Sequence, residues 1–234
     1  IDGLNSRGVV AVTGKGRDNR EIGQEAINRV IDAAKAVVLP MDRQVIHVVP
    51  QSYIVDEQRG VKDPRNMIGV RLEAEVHIVT GSVTSVQNMV KCVNRANLAV
   101  DEYMLHALAA VRAVMTEEER ELGSVLVDLG GGTTDVLVIA DGAPLLTAVL
   151  PVGGIQVTND ISIVKGVSAE TAERIKLDAG CCWLPLIEES EEVIIPGVGG
   201  RPPVVIPRSE ICEIVQPRLA EILTMVREKV DSVS

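Results

Sequence analysis

The chain has 234 residues, enough for one large domain or two modest ones with their own hydrophobic cores. Hydrophobic residues make up 46% and charged residues 24%, which excludes a disordered chain. A formal net charge of −10 argues against a nucleic-acid binder, which needs a basic stripe, and against a broad basic membrane-binding face.

The apolar share is rich in Val, Ile, Leu and Ala, with no Phe, one Trp and two Tyr, a composition suited to buried strands flanked by helices. No run approaches the roughly eighteen apolar residues of a membrane span. The chain starts at Ile1, in what reads as a strand or turn, and the expectation is that a native N-terminus precedes it. Cys92, Cys181, Cys182 and Cys212 offer no CxxC pair for zinc and are expected to be reduced, mostly buried thiols of a cytosolic protein.

Residues 8–13 predict a short strand, and 21–38 an amphipathic helix with Ile22, Ala26, Ile27, Val30, Ile31, Ala34 and Val38 on one face. Pro40 closes it. Residues 44–49 and 53–55 read as two strands, 61–69 as a turn-rich loop, and 69–80 as an alternating strand. A helical period returns over 83–116, with Val86, Met89, Val90 and Val93 in one stripe and Leu105, Leu108, Ala109 and Val114 in another. A short strand is expected near 98–100, and 117–121 as a solvated acidic loop. Strands follow at 124–127, 135–139 and 145–152, the last two joined by the hairpin signal Asp141-Gly142. Residues 168–179 form a helix capped by Ser168, 188–207 a hairpin with a Gly/Pro tip, and 208–230 a long amphipathic helix.

The strongest chemical signal is VLVDLGGGTTDVLV at 125–138. A strand, three glycines (Gly130, Gly131, Gly132), two threonines (Thr133, Thr134) and a second strand make a tight hairpin. Its amides and hydroxyls can donate to a phosphate that approaches closely because no Cβ intervenes. Asp128, at the end of the first strand, suits Mg2+ held through water. Gly153-Gly154 stands before a helix, where a glycine pair can meet an anion, although a plain strand-to-helix turn explains it equally well. Glu173 and Lys176 are three apart on one helix, a spacing that more often means a surface salt pair than a ligand site. His47 and His77 lie in strands and His106 on a helix, with no spacing that matches a catalytic triad, and no HExxH or P-loop occurs.

The hairpin resembles the second phosphate motif of the actin, sugar-kinase and chaperone ATPase superfamily, and PVGG, VTNDI and AERIK follow it in that superfamily's order. The segment 46–82, with its string DPRNMIGVRLE, is similar to the FtsA family of bacterial cell-division proteins. The resemblance implies an α/β, actin-like (ribonuclease-H-like) ATPase fold with a small inserted α/β domain. It implies a scaffold that binds ATP with Mg2+, polymerises beneath the membrane, tethers the FtsZ ring through the FtsZ C-terminal tail and recruits later division proteins. Such a protein is cytoplasmic and peripheral at the division site.

On this resemblance Gly130, Gly131, Gly132, Thr133 and Thr134 cradle the phosphates, Asp128 is near the metal, and Gly153 and Gly154 approach from the other lobe. Glu173 and Lys176 contact the adenosine. Residues 1–78 are the inserted domain that meets neighbouring subunits and later division proteins, and 79–122 complete the first lobe. Residues 123–165 form the second-lobe core, 166–207 the part that receives the FtsZ tail, and 208–234 a return helix. The family's first phosphate turn, its adenosine motif and its membrane-targeting helix are not found in these residues, which implies a fragment. His106 stands near the position where the superfamily orients the attacking water, so hydrolysis is expected to be slow. Two other readings are an actin-like assembly protein of the type IV pilus and a phosphotransferase or chaperone ATPase.

Overall fold

In a computed structural model, residues 1–12, 20–197, 199–200 and 202–233 are described. Thr13 of the first expected strand, Val198 and Arg201 of the expected hairpin tip, and Ser234 lie outside the described residues. The chain divides into two compact units. The first takes Ile1–Leu126, Val136–Val149 and Val233; the second takes Val127–Asp135 and Leu150–Ser232.

The chain forms a seven-stranded sheet, most of whose residues fall in the first unit. Its strands are β1 (Asp2–Ala11), β2 (Arg43–Val55), β3 (Gln58–Val61), β4 (Arg71–Ser82), β5 (Ser124–Leu129), β6 (Thr134–Ala140) and β7 (Ala143–Leu150), in the order β3-β2-β4-β1-β7-β6-β5. β1 and β4 pair antiparallel from Asp2↔Thr80 to Ala11↔Arg71. Helix α1 (Gln24–Lys35) covers one face, burying Ala26, Ile27, Val30 and Ala34 against Leu72, Ala74, Val76 and Ile78. Gly8 lets α1 approach: a Cβ there would stand 2.1 Å from the Val30 carbonyl oxygen. The other face of β1 and β4 is polar. His77, fully buried, shares hydrogen bonds with Asn5 Oδ1 (2.7 Å) and Thr147 Oγ1 (3.0 Å), and burial pushes its pKa down to about 4.

Several elements differ from the sequence expectation, each for a local reason. β1 starts at Asp2, six residues earlier, because its polar residues alternate on a face that is half wet. α1 is shorter than 21–38: Glu21 bridges Ile68 as extended chain, Ile22 is buried by backbone bonds with Asn66 and Met67, and Val38 is exposed. β2 runs unbroken through Pro50, which sits at a register shift where the missing N–H costs no ladder bond. Residues 98–100 form no strand. Residues 117–121 belong to a helix, α4 (Glu117–Leu122), whose capping box pairs the Thr116 hydroxyl with the Glu119 amide and the Glu119 carboxylate with the Thr116 amide. Helices α2 (Val83–Arg95) and α3 (His106–Val114) lie within the expected period, but Met89 and Val114 are exposed and α3 buries Ala107 and Val111 instead.

The second unit packs α5 (Gly154–Lys165), α6 (Ala169–Ala179) and α7 (Arg208–Asp231) around Val157, Ile161, Ala172, Ile175, Ile211 and Val215. A hairpin of β8 (Glu192–Ile195) and β9 (Val204–Pro207) adds Ile195 to this core. Ser168 caps α6 as expected, accepting from the Thr171 amide. Of the four free cysteines only Cys212 is buried, so the expectation of mostly buried thiols holds for one residue. Among the described residues no helix is long and apolar enough to cross a membrane.

Candidate functional site

The glycine hairpin and the Gly153-Gly154 turn both belong to the second unit. Their role is visible in the backbone. Gly154 N–H donates to the Gly130 carbonyl at 2.9 Å and Ile155 N–H to the Gly131 carbonyl at 2.8 Å. The first amides of α5, which a helix cannot satisfy internally, are thus satisfied by the hairpin. A Cβ on Gly153 would stand 2.5 Å from the Gly130 oxygen, which explains glycine there. Gly153 N–H donates to Gln156 Oε1 at 2.8 Å, closing the cap. These amides are therefore engaged within the unit rather than presented to an anion.

The hairpin closes on itself through Gly130 N–H to the Thr133 carbonyl, 2.9 Å. Thr134 departs from its expected part as a phosphate donor. It is fully buried, and its hydroxyl donates to the Val152 carbonyl at 2.8 Å, which fixes the hairpin to the end of β7. Gly131, Gly132 and Thr133 are exposed, and the amides of Gly131 and Gly132 have no backbone acceptor among the described residues. A Cβ on either glycine would meet nothing within 4 Å. Asp128 is half-buried next to them in β5.

Glu173 and Lys176 do pair, at 2.7 Å, and they do more than a surface pair. Lys176 Nζ donates to the Gly154 carbonyl (3.1 Å) and to Thr158 Oγ1 (2.9 Å), while the Thr158 hydroxyl donates to the Glu173 carboxylate. The hydrogen bonds from Lys176 and Thr158 hold the Glu173 carboxyl below its usual pKa range. This network ties α6 to the first turns of α5, beside the docked hairpin. Sequence spacing exposed the Glu173–Lys176 pair but not Thr158 or the Gly154 carbonyl, because those contacts cross between helices.

His106 opens α3 in the first unit and is exposed. Among the described residues no group of three or more His, Cys, Asp or Glu side chains is placed to hold a metal ion. The second unit also carries a groove of about 770 Å³ between α5 and α7, with Val164, Ile214 and Pro217 among its apolar lining. Its rim holds the ion pairs Arg218–Asp160 (2.7 Å) and Lys165–Glu210 (2.6 Å).

Comparison with solved structures shows an actin-like fold. The chain matches a type IV pilus biogenesis complex, PilM-PilN, with TM-score 0.58 and 14% identity over 98% of this chain and 55% of that one. It matches MreB5 of Spiroplasma citri bound to ADP with TM-score 0.54 and 20% identity over 66% of this chain and 49% of that one. Two family models match: "SHS2 domain inserted in FTSA" over residues 1–80, and "Cell division protein FtsA" over residues 125–232. A curated relative, the cell division protein FtsA of Borreliella burgdorferi, is 48% identical over 98% of this chain and 55% of its own length. The chain spans about half the length of the curated relatives it matches. With both models and this relative in agreement, the chain belongs to the FtsA family of actin-like cell-division proteins.

Proposed function

We propose that this chain carries the phosphate-binding hairpin of an ATP-dependent cell-division scaffold, one that polymerises beneath the membrane, tethers FtsZ and recruits later division proteins. One observation carries the nucleotide assignment. Gly131 and Gly132 are glycine although no neighbour in the chain would meet a Cβ there, and both are exposed, with no backbone acceptor for their amides among the described residues. A phosphate drawn close to those amides accounts for both facts. Gly131, Gly132 and Thr133 are the donors in this reading. Gly130, Gly153, Gly154 and Thr134 set the hairpin's position. Asp128 fits Mg2+ held through water, since Mg2+ takes few protein ligands and fills its shell with water and phosphate oxygens. Glu173, with its side chain 44% exposed, supplies the contact to the adenosine, steadied by Lys176.

Family membership supports the wider reading: residues 1–78 as the inserted domain that meets other subunits and later proteins, 79–122 as the rest of the first lobe, and 123–165 as the second-lobe core. In the same reading, residues 166–207 form the face for the FtsZ tail, and 208–234 the return helix of the second lobe. Bound nucleotide stabilises one arrangement that favours assembly, and turnover is slow. The test is equilibrium Mg-ATP binding by the full-length gene product. Asp128→Ala and Gly131→Val should each weaken binding at least tenfold, about 1.4 kcal/mol. Unchanged affinity in both would make the hairpin purely structural.

A further inference from the structure

The peptide group that joins Gly154 to Ile155 is held at both ends. Its carbonyl, on Gly154, accepts from Lys176 Nζ at 3.1 Å, and its N–H, on Ile155, donates to the Gly131 carbonyl at 2.8 Å. That Gly131 carbonyl belongs in turn to the peptide group that carries the Gly132 N–H. Among the described residues no peptide bond is cis, so in each group the N–H points opposite to the C=O. Lys176 therefore heads a line that runs through two peptide groups and ends on the Gly132 amide. The ammonium charge and the two peptide dipoles polarise one another in the same sense.

Lys176 has no donor to spare for a ligand. An ammonium carries three N–H groups, and beyond the Gly154 carbonyl its partners are Thr158 Oγ1 at 2.9 Å and the Glu173 carboxylate at 2.7 Å. The buried Thr158 hydroxyl also lies 3.2 Å from the Gly154 carbonyl. It has one proton, however, and the nearer, charged Glu173 carboxylate takes it. The side-chain bond to the Gly154 carbonyl is thus left to Lys176.

We propose that Lys176 is a positioning residue for phosphate binding, which acts through the Gly154 and Gly131 carbonyls to orient and polarise the Gly132 N–H and does not itself touch the nucleotide. This inference rests on the reading of the glycine hairpin as the phosphate site. The part of the ligand that senses Lys176 is then its polyphosphate end, and a nucleoside without phosphate is indifferent to it.

The experiment titrates the full-length product, carrying isotopically labelled glycine, with Mg-ATP and separately with adenosine. Lys176→Met should weaken Mg-ATP binding by about tenfold, leave adenosine within about twofold and move the Gly132 amide resonance. Glu173→Gln breaks the same ion pair but spares the bond to Gly154, so it should leave that resonance in place. A general loosening of α5 against α6 would move it in both variants and overturn the proposal. Lys176→Gln keeps an uncharged donor for the Gly154 carbonyl and should lose less, which supplies the comparison if methionine unfolds the protein. Equal losses for Mg-ATP and adenosine would make Lys176 a direct nucleoside contact and overturn the proposal. Unchanged Mg-ATP affinity in both lysine variants, with Gly131→Val still weakened, would overturn it and leave the phosphate reading intact. Unchanged affinity in Gly131→Val and Asp128→Ala as well would remove that reading and the proposal with it.

Discussion

Gly154 donates its backbone N–H to the carbonyl of Gly130 at 2.9 Å, so the hairpin's position is set by the helix that follows β7 as much as by its own strands. Strand-end geometry alone would leave a three-glycine turn free to sample many conformations. Docking on α5, together with the Thr134–Val152 bond, gives it one. The exposed residues Gly131 and Gly132 are thereby held in one arrangement, with the cost of ordering met during folding.

Thr134→Val tests that anchoring. The variant keeps the side chain's shape, removes a buried donor and leaves the Val152 carbonyl without it, so stability should fall by about 1–2 kcal/mol. Urea denaturation of variant and parent measures the difference. No loss would mean that the hairpin is fixed by α5 alone.

Gly8 and Gly132 are glycines for opposite reasons. At Gly8 a Cβ would overlap the backbone of α1, 2.1 Å from the Val30 oxygen and 2.6 Å from the Ala34 nitrogen. Gly8→Ala should therefore cost about 3 kcal/mol, because backbone must move. Gly132→Ala meets nothing within 4 Å and should stay within about 0.5 kcal/mol of the parent. Thermal unfolding of the two variants should separate them clearly, and equal losses would refute the distinction.

His77 sets a pH dependence. It is neutral when folded, with a pKa near 4, against 6.5 for an unperturbed imidazole. The unfolded chain therefore binds the proton more readily between these values, so stability is complete above about pH 6.5 and is lost as pH falls toward 4. At about 1.4 kcal/mol per pH decade the loss approaches 3 kcal/mol. The difference in stability between parent and His77→Gln, followed by urea titration from pH 7.5 to 4.5, should shrink as the pH falls. A constant difference would show that His77 does not drive the change.

Much of the architecture was legible from residue pattern: the α/β class, the strand–glycine–strand unit, the Ser168 cap and the long α7. The misses share a physical origin. Thr116-x-x-Glu119 is a capping box in plain view, but the helix it starts buries nothing, so hydrophobic periodicity was silent. Pro50 reads as a break unless the bulge that accommodates it is known. At the site, Thr134 and Thr133 look alike in sequence. Only the placement of Val152 shows that one hydroxyl is spent inside the fold. The Lys176–Thr158–Gly154 contacts depend on how α5 and α6 pack, which no spacing within either helix encodes.

Turnover distinguishes a scaffold from a phosphotransferase. Phosphoryl transfer relies on the positioning of nucleotide, metal and attacking group rather than on covalent chemistry by the protein. Steady-state phosphate release by the full-length product should stay below about one per second. A rate of several per second would contradict the scaffold assignment.

The most direct measurement is a fluorescence-anisotropy titration of a labelled FtsZ C-terminal tail peptide against the full-length product. Saturable binding with a Kd on the order of micromolar, about −8 kcal/mol, and its loss on mutation within residues 166–207, is the predicted result. No binding by a folded protein that still takes up Mg-ATP would contradict the division-ring tether and favour another actin-like assembly role.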